Sequence, residues 1–228
     1  MRWILALALA LAAGLGALYG LTGGFTVLTA EAARRQDVAR HPRAIPAAEV
    51  LTGDGRVLDL DRELRRDGRV ALVNFFYTRC LALCLAQGSL TERLQQAIEA
   101  RGLQDRIRLI SISFDPRDRA PDLARYAARM GADPAVWQFL SFARPAQRDA
   151  VLALFGITVV PAPLGEFEHN AAFHVVTPDG RLARILDLDD PGLALRAAED
   201  EAGRRPAPAD RPAPGEPGRP AGRDAGGV

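Results

Sequence analysis

Residues 70–77, Val-Ala-Leu-Val-Asn-Phe-Phe-Tyr, form a nearly continuous run of apolar residues that favour β-structure. A run of this kind is typical of a central strand that is buried on both faces, as in a sheet covered by helices. Apolar residues at helical spacing follow over 90–98, and Gly102 predicts the end of that helix. A strand followed directly by a helix indicates an α/β fold.

Further strands and helices complete the predicted sheet. We expect strands over 107–114, 171–177 and 181–188, and helices over 121–130 and 146–155. The Pro-Asp-Gly sequence at 178–180 favours a tight turn between the last two strands. The pattern therefore predicts a mixed sheet flanked by helices in a single domain over residues 47–201.

Both ends of the chain differ in composition from this domain. No residue from 3 to 30 is charged, and this run exceeds the ~20 residues that a helix needs to cross a bilayer. We expect residues 1–30 to be an uncleaved membrane anchor, with a cleaved signal peptide as the alternative. Residues 31–46 are then a linker. Residues 202–228 are rich in Pro and Gly and contain no Leu, Ile or Phe, which predicts a disordered tail.

Composition excludes several classes of site. The sequence has no Lys, which excludes lysine-based catalysis, and its net charge of +1 argues against a nucleic-acid-binding surface. Only two cysteines are present, Cys80 and Cys84, so a disulfide-rich scaffold and a four-thiolate zinc site are both excluded.

The positions of the two cysteines predict where a binding or redox site lies. Cys80 comes just after the predicted central strand and Cys84 at the start of the next helix, so both lie at the edge of the sheet where α/β folds bind ligands. The first turn of a helix favours the thiolate form of a cysteine, which is both the nucleophile and the metal ligand. The spacing permits either a reducible disulfide or two sulfurs on one metal ion. Two buried, inert cysteines are the remaining alternative.

Residues 75–84, Phe-Phe-Tyr-Thr-Arg-Cys-Leu-Ala-Leu-Cys, resemble the Phe-x-Tyr-Thr-x-Cys-x-x-x-Cys motif of the Sco/SenC family. That family comprises thioredoxin-like copper proteins that serve cytochrome c oxidase assembly. Three further stretches agree in order with the family pattern: 111–118, 126–140 and 168–180. The resemblance covers about residues 51–188 and implies a thioredoxin-like fold.

The chain departs from the family pattern at three positions. Leu81 and Leu85 stand where the family usually has a proline after each cysteine, and Glu168 replaces the usual Asp before the histidine. The missing prolines predict a less rigid loop, which changes copper affinity or redox potential without removing a ligand. These departures indicate a divergent subgroup.

The resemblance implies a copper ion, Cu(I) or Cu(II), bound by Cys80, Cys84 and His169. Cu(I) is soft and prefers thiolates, and it accepts two sulfurs with an imidazole. His41 lies in the predicted linker. His174 is five residues beyond His169 in an extended stretch, so the two side chains point to opposite faces, and the family position favours His169.

Asp115 is a further candidate for the site. It closes the strand predicted over 107–114, which we expect beside the strand over 70–77. Its carboxylate then either orients the site or contacts a partner. The alternative is a turn or helix-capping aspartate before Pro116.

Three functions compete for this pair of cysteines. The first is delivery of copper to the copper-bearing subunit of a cytochrome oxidase, or to another periplasmic copper or thiol protein. The second is thiol-disulfide exchange, in which one thiolate attacks a disulfide and the other resolves the mixed intermediate. Only the first requires His169. The third is a peroxidase, which needs one reactive cysteine in a peroxide pocket, and no residue of the sequence specifically supports such a pocket.

The expected location follows from this chemistry. Counting arginines on either side of residues 3–30 would place the domain in the cytoplasm. Copper delivery to an oxidase, like a cycling disulfide, belongs on the outer face of a bacterial inner membrane. We therefore expect a single span with the domain in the periplasm, or a secreted form if the segment is cleaved.

Overall fold

A computed structural model describes residues 2–21, 29–80 and 83–204. The helices are α1 (Arg2–Leu21), α2 (Ala30–Arg40), α3 (Leu60–Arg65), α4 (Leu83–Ala100), α5 (Ala120–Arg129), α6 (Pro145–Phe155) and α7 (Pro191–Gly203). The strands are β1 (Arg43–Ala44), β2 (Glu49–Thr52), β3 (Val57–Asp59), β4 (Val70–Phe76), β5 (Ile107–Ser113), β6 (Trp137–Phe142), β7 (Val159–Pro161), β8 (Phe167–His169), β9 (Ala172–Val176) and β10 (Arg181–Asp187).

Eight strands form one mixed sheet in the order β1-β10-β9-β4-β5-β6-β2-β3. The central strands β4, β5 and β6 are parallel, and the β9–β10 hairpin adds antiparallel to β4. Every residue of β4 and β5 is buried, as the apolar sequence of β4 predicts; in β5 the buried residues include Arg108, Ser111 and Ser113. The expected mixed sheet is therefore confirmed, and β4 and β5 each end within one residue of the predicted limit.

The helices that flank the sheet bury its apolar faces. Helix α7 packs on β4, β9 and β10, whereas α5 packs on β6 and β2. Helix α4 stops two residues before Gly102, and α6 stops at Gly156, where φ is +71°. Both glycines take the left-handed conformation that commonly ends a helix.

The segment 31–46, which the sequence predicts as a linker, forms α2 and β1. Strand β1 pairs with β10, and α2 lies against β10 with Val38 buried. Arg35 Nη1 donates to Asp187 Oδ1 at 2.6 Å, and Arg184 Nη1 donates to Ala39 O at 3.2 Å. One buried valine and these polar contacts dock the segment on the edge of the sheet.

The structure does not decide whether residues 1–30 form a membrane anchor or whether residues 202–228 form a disordered tail. Within the described ranges, no helix is both long enough and apolar enough to cross a membrane. Residues 22–28 of the predicted membrane segment lie outside the described residues, and so do residues 205–228 of the predicted tail.

Candidate metal centre

The loop that carries Cys80 leaves the carboxyl end of β4. Strand β5 runs parallel beside β4, so the loop that follows β5 lies at the same edge of the sheet. The Cys80 amide donates to Tyr77 O at 3.4 Å, and the residue is 9% exposed. Cys84 lies in the first turn of α4, but its side chain is outside the described part of the structure. The structure thus places Cys80 and the backbone of Cys84 at the predicted edge.

Asp118 holds this loop in place. Its carboxylate accepts hydrogen bonds from Thr78 N at 2.8 Å, Thr78 Oγ1 at 2.6 Å and Ser113 Oγ at 2.6 Å. The Asp118 residue is only 4% exposed. Sequence reasoning gave Asp118 no role, although its position shortly after the end of β5 puts it at the same edge as Asp115. Its three bonds fix the segment that leads into Cys80.

His169 ends β8, which forms a separate two-stranded sheet with β7. Its Nδ1 lies 2.9 Å from Asn170 O, and because a carbonyl oxygen only accepts, Nδ1 carries the proton and Nε2 the lone pair. The ring packs against Phe114 and Tyr77, with centroid distances of 4.9 and 6.1 Å. Burial lowers the pKa of His169, although the bond to Asn170 O opposes this shift. A neutral imidazole with its lone pair on Nε2 is a competent metal ligand.

Tyr77 contacts both the Cys80 loop and the His169 hairpin. Its hydroxyl donates to Glu166 Oε2 at 2.6 Å, and its backbone oxygen accepts from the Cys80 amide at 3.4 Å. Burial, with the Glu166 bond next in size, raises the pKa of Tyr77 above its usual 10. The phenol therefore stays protonated and remains a donor. Sequence reasoning did not identify this residue, because Glu166 is 89 positions away.

Asp115 follows β5, at the same edge of the sheet as Cys80, and its carboxylate is fully buried. Arg79 Nη2 donates to Asp115 Oδ2 at 2.6 Å, and Arg117 donates its backbone amide at 2.9 Å together with its guanidinium. Burial alone would raise the pKa of Asp115, but the bonds from Arg117 and Arg79 outweigh it and lower the pKa. Asp115 is thus a turn aspartate that also anchors Arg79, the residue before Cys80.

The sequence profile of the SCO1/SenC family matches residues 59–199. The chain belongs to this family. The resemblance that the cysteine motif carries is therefore confirmed.

Individual SCO1/SenC relatives agree with this assignment. The "SCO1 protein homolog" of Bacillus subtilis is 29% identical over 121 residues, which is 51% of this chain and 61% of the relative. The chain thus spans about three fifths of that relative.

Solved structures show the fold. BsSco, a member of the Sco family of cytochrome c oxidase assembly proteins in which a disulfide switch was identified, superposes with a TM-score of 0.61 at 22% identity, covering 72% of this chain and 96% of that one. Bradyrhizobium japonicum ScoI, solved with copper bound, gives a TM-score of 0.56 at 23% identity, covering 69% and 99%. The fold is therefore the thioredoxin-like fold of Sco proteins.

The other histidines of this SCO1/SenC protein lie elsewhere. His174 on β9 is completely buried, with Nδ1 at 3.2 Å from Val73 O and Nε2 at 3.0 Å from Phe155 O. Burial lowers the pKa of His174 to about 4, despite both carbonyl contacts. His41 directly follows α2, with its side chain 76% exposed. Backbone contacts at both ring nitrogens give His174 a structural position.

No group of three His, Cys, Asp or Glu side chains converges for metal binding among the described residues. The Cys84 side chain, one of the three predicted ligands, lies outside them. Of the other two, Cys80 donates its amide to Tyr77 O at 3.4 Å, and the His169 ring packs on the Tyr77 ring. The structure therefore brings two predicted ligands to one tyrosine.

Proposed function

We propose that this chain binds copper through Cys80, Cys84 and His169 and delivers it for assembly of the copper centre of a respiratory cytochrome oxidase. The observation that carries the proposal is that Cys80 and His169 both contact Tyr77, Cys80 through its amide and His169 through its ring, with His169 neutral and its lone pair on Nε2. Copper bound in related structures supports it.

The three proposed ligands, Cys80, Cys84 and His169, suit copper as the ion that the protein delivers. Two cysteine sulfurs provide the soft ligands that Cu(I) prefers, and an imidazole completes a set that Cu(II) also tolerates. Cys84 stands in the first turn of α4, where the helix dipole favours a thiolate. Phe114 packs against the His169 ring and restricts its orientation. A protein thiol or imidazole on the partner then takes the ion by ligand exchange.

Thiol-disulfide exchange is the second candidate. The Cys80/Cys84 pair alone supports it, through attack by one thiolate and resolution by the other. The disulfide switch named for BsSco favours keeping this candidate. His169 has no task in that chemistry, so substitution of His169 separates the two functions.

We also propose that residues 1–30 tether the domain to the outer face of a bacterial inner membrane. The absence of charge from residue 3 to residue 30 supports a membrane span, and the oxidising environment that the cysteine chemistry suits supports the outer face. The partner there is the copper-bearing oxidase subunit. An activity-reporter fusion after Val228 tests the topology, and activity of a cytoplasmic reporter alone would overturn it.

The ligand role of His169 is tested by copper titration of anaerobically reduced protein. We expect His169→Ala to weaken copper binding by at least about 10-fold while leaving formation of the Cys80–Cys84 disulfide intact. His41→Ala is the matched control, because His41 is exposed and distant in sequence from the site. Equal copper affinity in wild type and His169→Ala would refute the three-ligand site and favour thiol-disulfide exchange.

A further inference from the structure

The hairpin that carries His169 is attached to the domain through a few side chains. Among the residues that the structure describes, strands β7 and β8 pair only with each other, in a sheet separate from the eight-stranded one. At the base of the hairpin, Asn170 donates to Gly156 O at 2.8 Å and accepts from Thr158 N at 2.7 Å. The position of His169 therefore depends on contacts to the loop that carries Cys80, together with the packing of Phe114 on its ring.

The contact that reaches the cysteine loop is made by Tyr77. Its hydroxyl donates to Glu166 Oε2 at 2.6 Å and accepts from the Phe167 amide at 3.3 Å. On its other side, Tyr77 O accepts from the Cys80 amide at 3.4 Å. The same residue is thus tied to one predicted ligand and to the strand that ends in the other.

We propose that the Tyr77–Glu166 hydrogen bond is a latch that fixes the position of His169 relative to Cys80 and thereby sets the copper affinity of the site. The inference rests on the proposed function. Tyr77 and Glu166 are positioning residues, because they act on the metal through His169. The hydroxyl is the decisive group, since the Tyr77 ring would keep its contact with Phe167, at a centroid distance of 5.3 Å, in a phenylalanine variant.

A second contact limits the expected effect. Arg117 Nη2 donates to Gly165 O at 2.6 Å, and the Arg117 guanidinium lies over the Phe167 ring at 5.5 Å. These contacts survive when the latch is broken, so the hairpin stays in place but is held less firmly. Groups that orient metal ligands typically contribute 10–100-fold to metal affinity, and we expect the lower end, about 10-fold.

The first arm of the test uses the copper-free full chain. In Tyr77→Phe the Phe167 amide loses its acceptor, so its hydrogen exchange should accelerate, together with that of the neighbouring β8 amides. Tyr126→Phe is the matched control, because it also removes a buried phenol hydroxyl but packs on Phe76 and Phe139 instead. Unchanged exchange in β8 of Tyr77→Phe would overturn the latch without reference to copper.

The second arm measures Cu(I) affinity by competition with a chelator. Tyr77→Phe should weaken binding about 10-fold, and Glu166→Ala somewhat less, because Glu166→Ala keeps the bond from the Phe167 amide to the Tyr77 hydroxyl. The double variant should be no weaker than Tyr77→Phe, which has already lost the Tyr77–Glu166 bond. Glu166→Gln retains an acceptor oxygen and should restore most of the affinity. In a His169→Ala background, Tyr77→Phe should have no further effect.

The outcomes separate the latch from the proposed function. A wild-type chain that binds no copper overturns the proposed function, and the exchange arm then decides the latch alone. Copper binding that is unchanged in Tyr77→Phe overturns the latch and leaves the function standing. An equal loss of affinity from Tyr77→Phe with and without His169 would show a general structural effect and would also overturn the latch.

Discussion

Asp118→Ala removes the acceptor that holds the loop before Cys80. Three hydrogen bonds disappear together, from the Thr78 amide, the Thr78 hydroxyl and the Ser113 hydroxyl, at 2.6–2.8 Å. A hydrogen bond to a charged group contributes ~1.5–3 kcal/mol, and three bonds to one carboxylate are not additive. The hydroxyls can rotate to other acceptors, whereas the Thr78 amide cannot. We therefore expect the free energy of unfolding to fall by about 3 kcal/mol.

Equilibrium unfolding in urea measures this loss. With a slope of ~2 kcal/mol per molar urea, a loss of 3 kcal/mol lowers the midpoint by ~1.5 M. Asp118→Asn keeps one carboxyl-like oxygen and should lose about half as much. Ala124→Ser, an exposed change on α5, is the control and should move the midpoint by no more than ~0.25 M. A midpoint of Asp118→Ala within ~0.2 M of wild type would refute the idea that this carboxylate anchors the loop.

Three further changes test the packing and charge of the domain. Because the pKa of His174 is about 4 in the folded protein and usually 6.5, the free energy of unfolding should fall by about 3 kcal/mol as the pH falls from 6.5 to 4. Over the same pH range, the urea midpoint of His174→Gln should therefore drop less than that of wild type. Gly156→Ala should cost ~1–2 kcal/mol in the same assay, since φ is +71° and the added methyl group meets the Arg34 guanidinium; a neutral effect would contradict this. Glu63→Ala should lower the free energy of unfolding by ~3 kcal/mol, because it leaves the buried Arg108 without one of its partners. A loss under ~1 kcal/mol would contradict this and show that the remaining contacts of Arg108 are sufficient.

The sequence predicted the central elements because their patterns are local. Every residue of β4 and β5 is buried; β4 is a nearly continuous apolar run, and β5 has apolar residues at 107, 109, 110 and 112. The helices α4 and α6 stop near glycines, which mark helix ends in sequence. The cysteine motif itself indicated the edge of the sheet at which Cys80 lies.

Other features depend on contacts that no local pattern records. Strands β7 and β8 have three residues each, too few for a periodicity to show. The docking of α2 rests on a single buried residue, Val38, in a polar segment. Tyr77 and Glu166 are 89 positions apart, and only the fold brings them together.

The ligand set is tested most directly by the copper stoichiometry and absorption spectrum of wild type beside Cys80→Ser, Cys84→Ser and His169→Ala. We predict about one copper per chain in wild type, with sulfur-to-copper charge-transfer bands that either cysteine substitution abolishes and the histidine substitution shifts. Bands that survive the loss of one cysteine, or a spectrum and affinity that do not change in His169→Ala, would contradict a copper site built from these three residues.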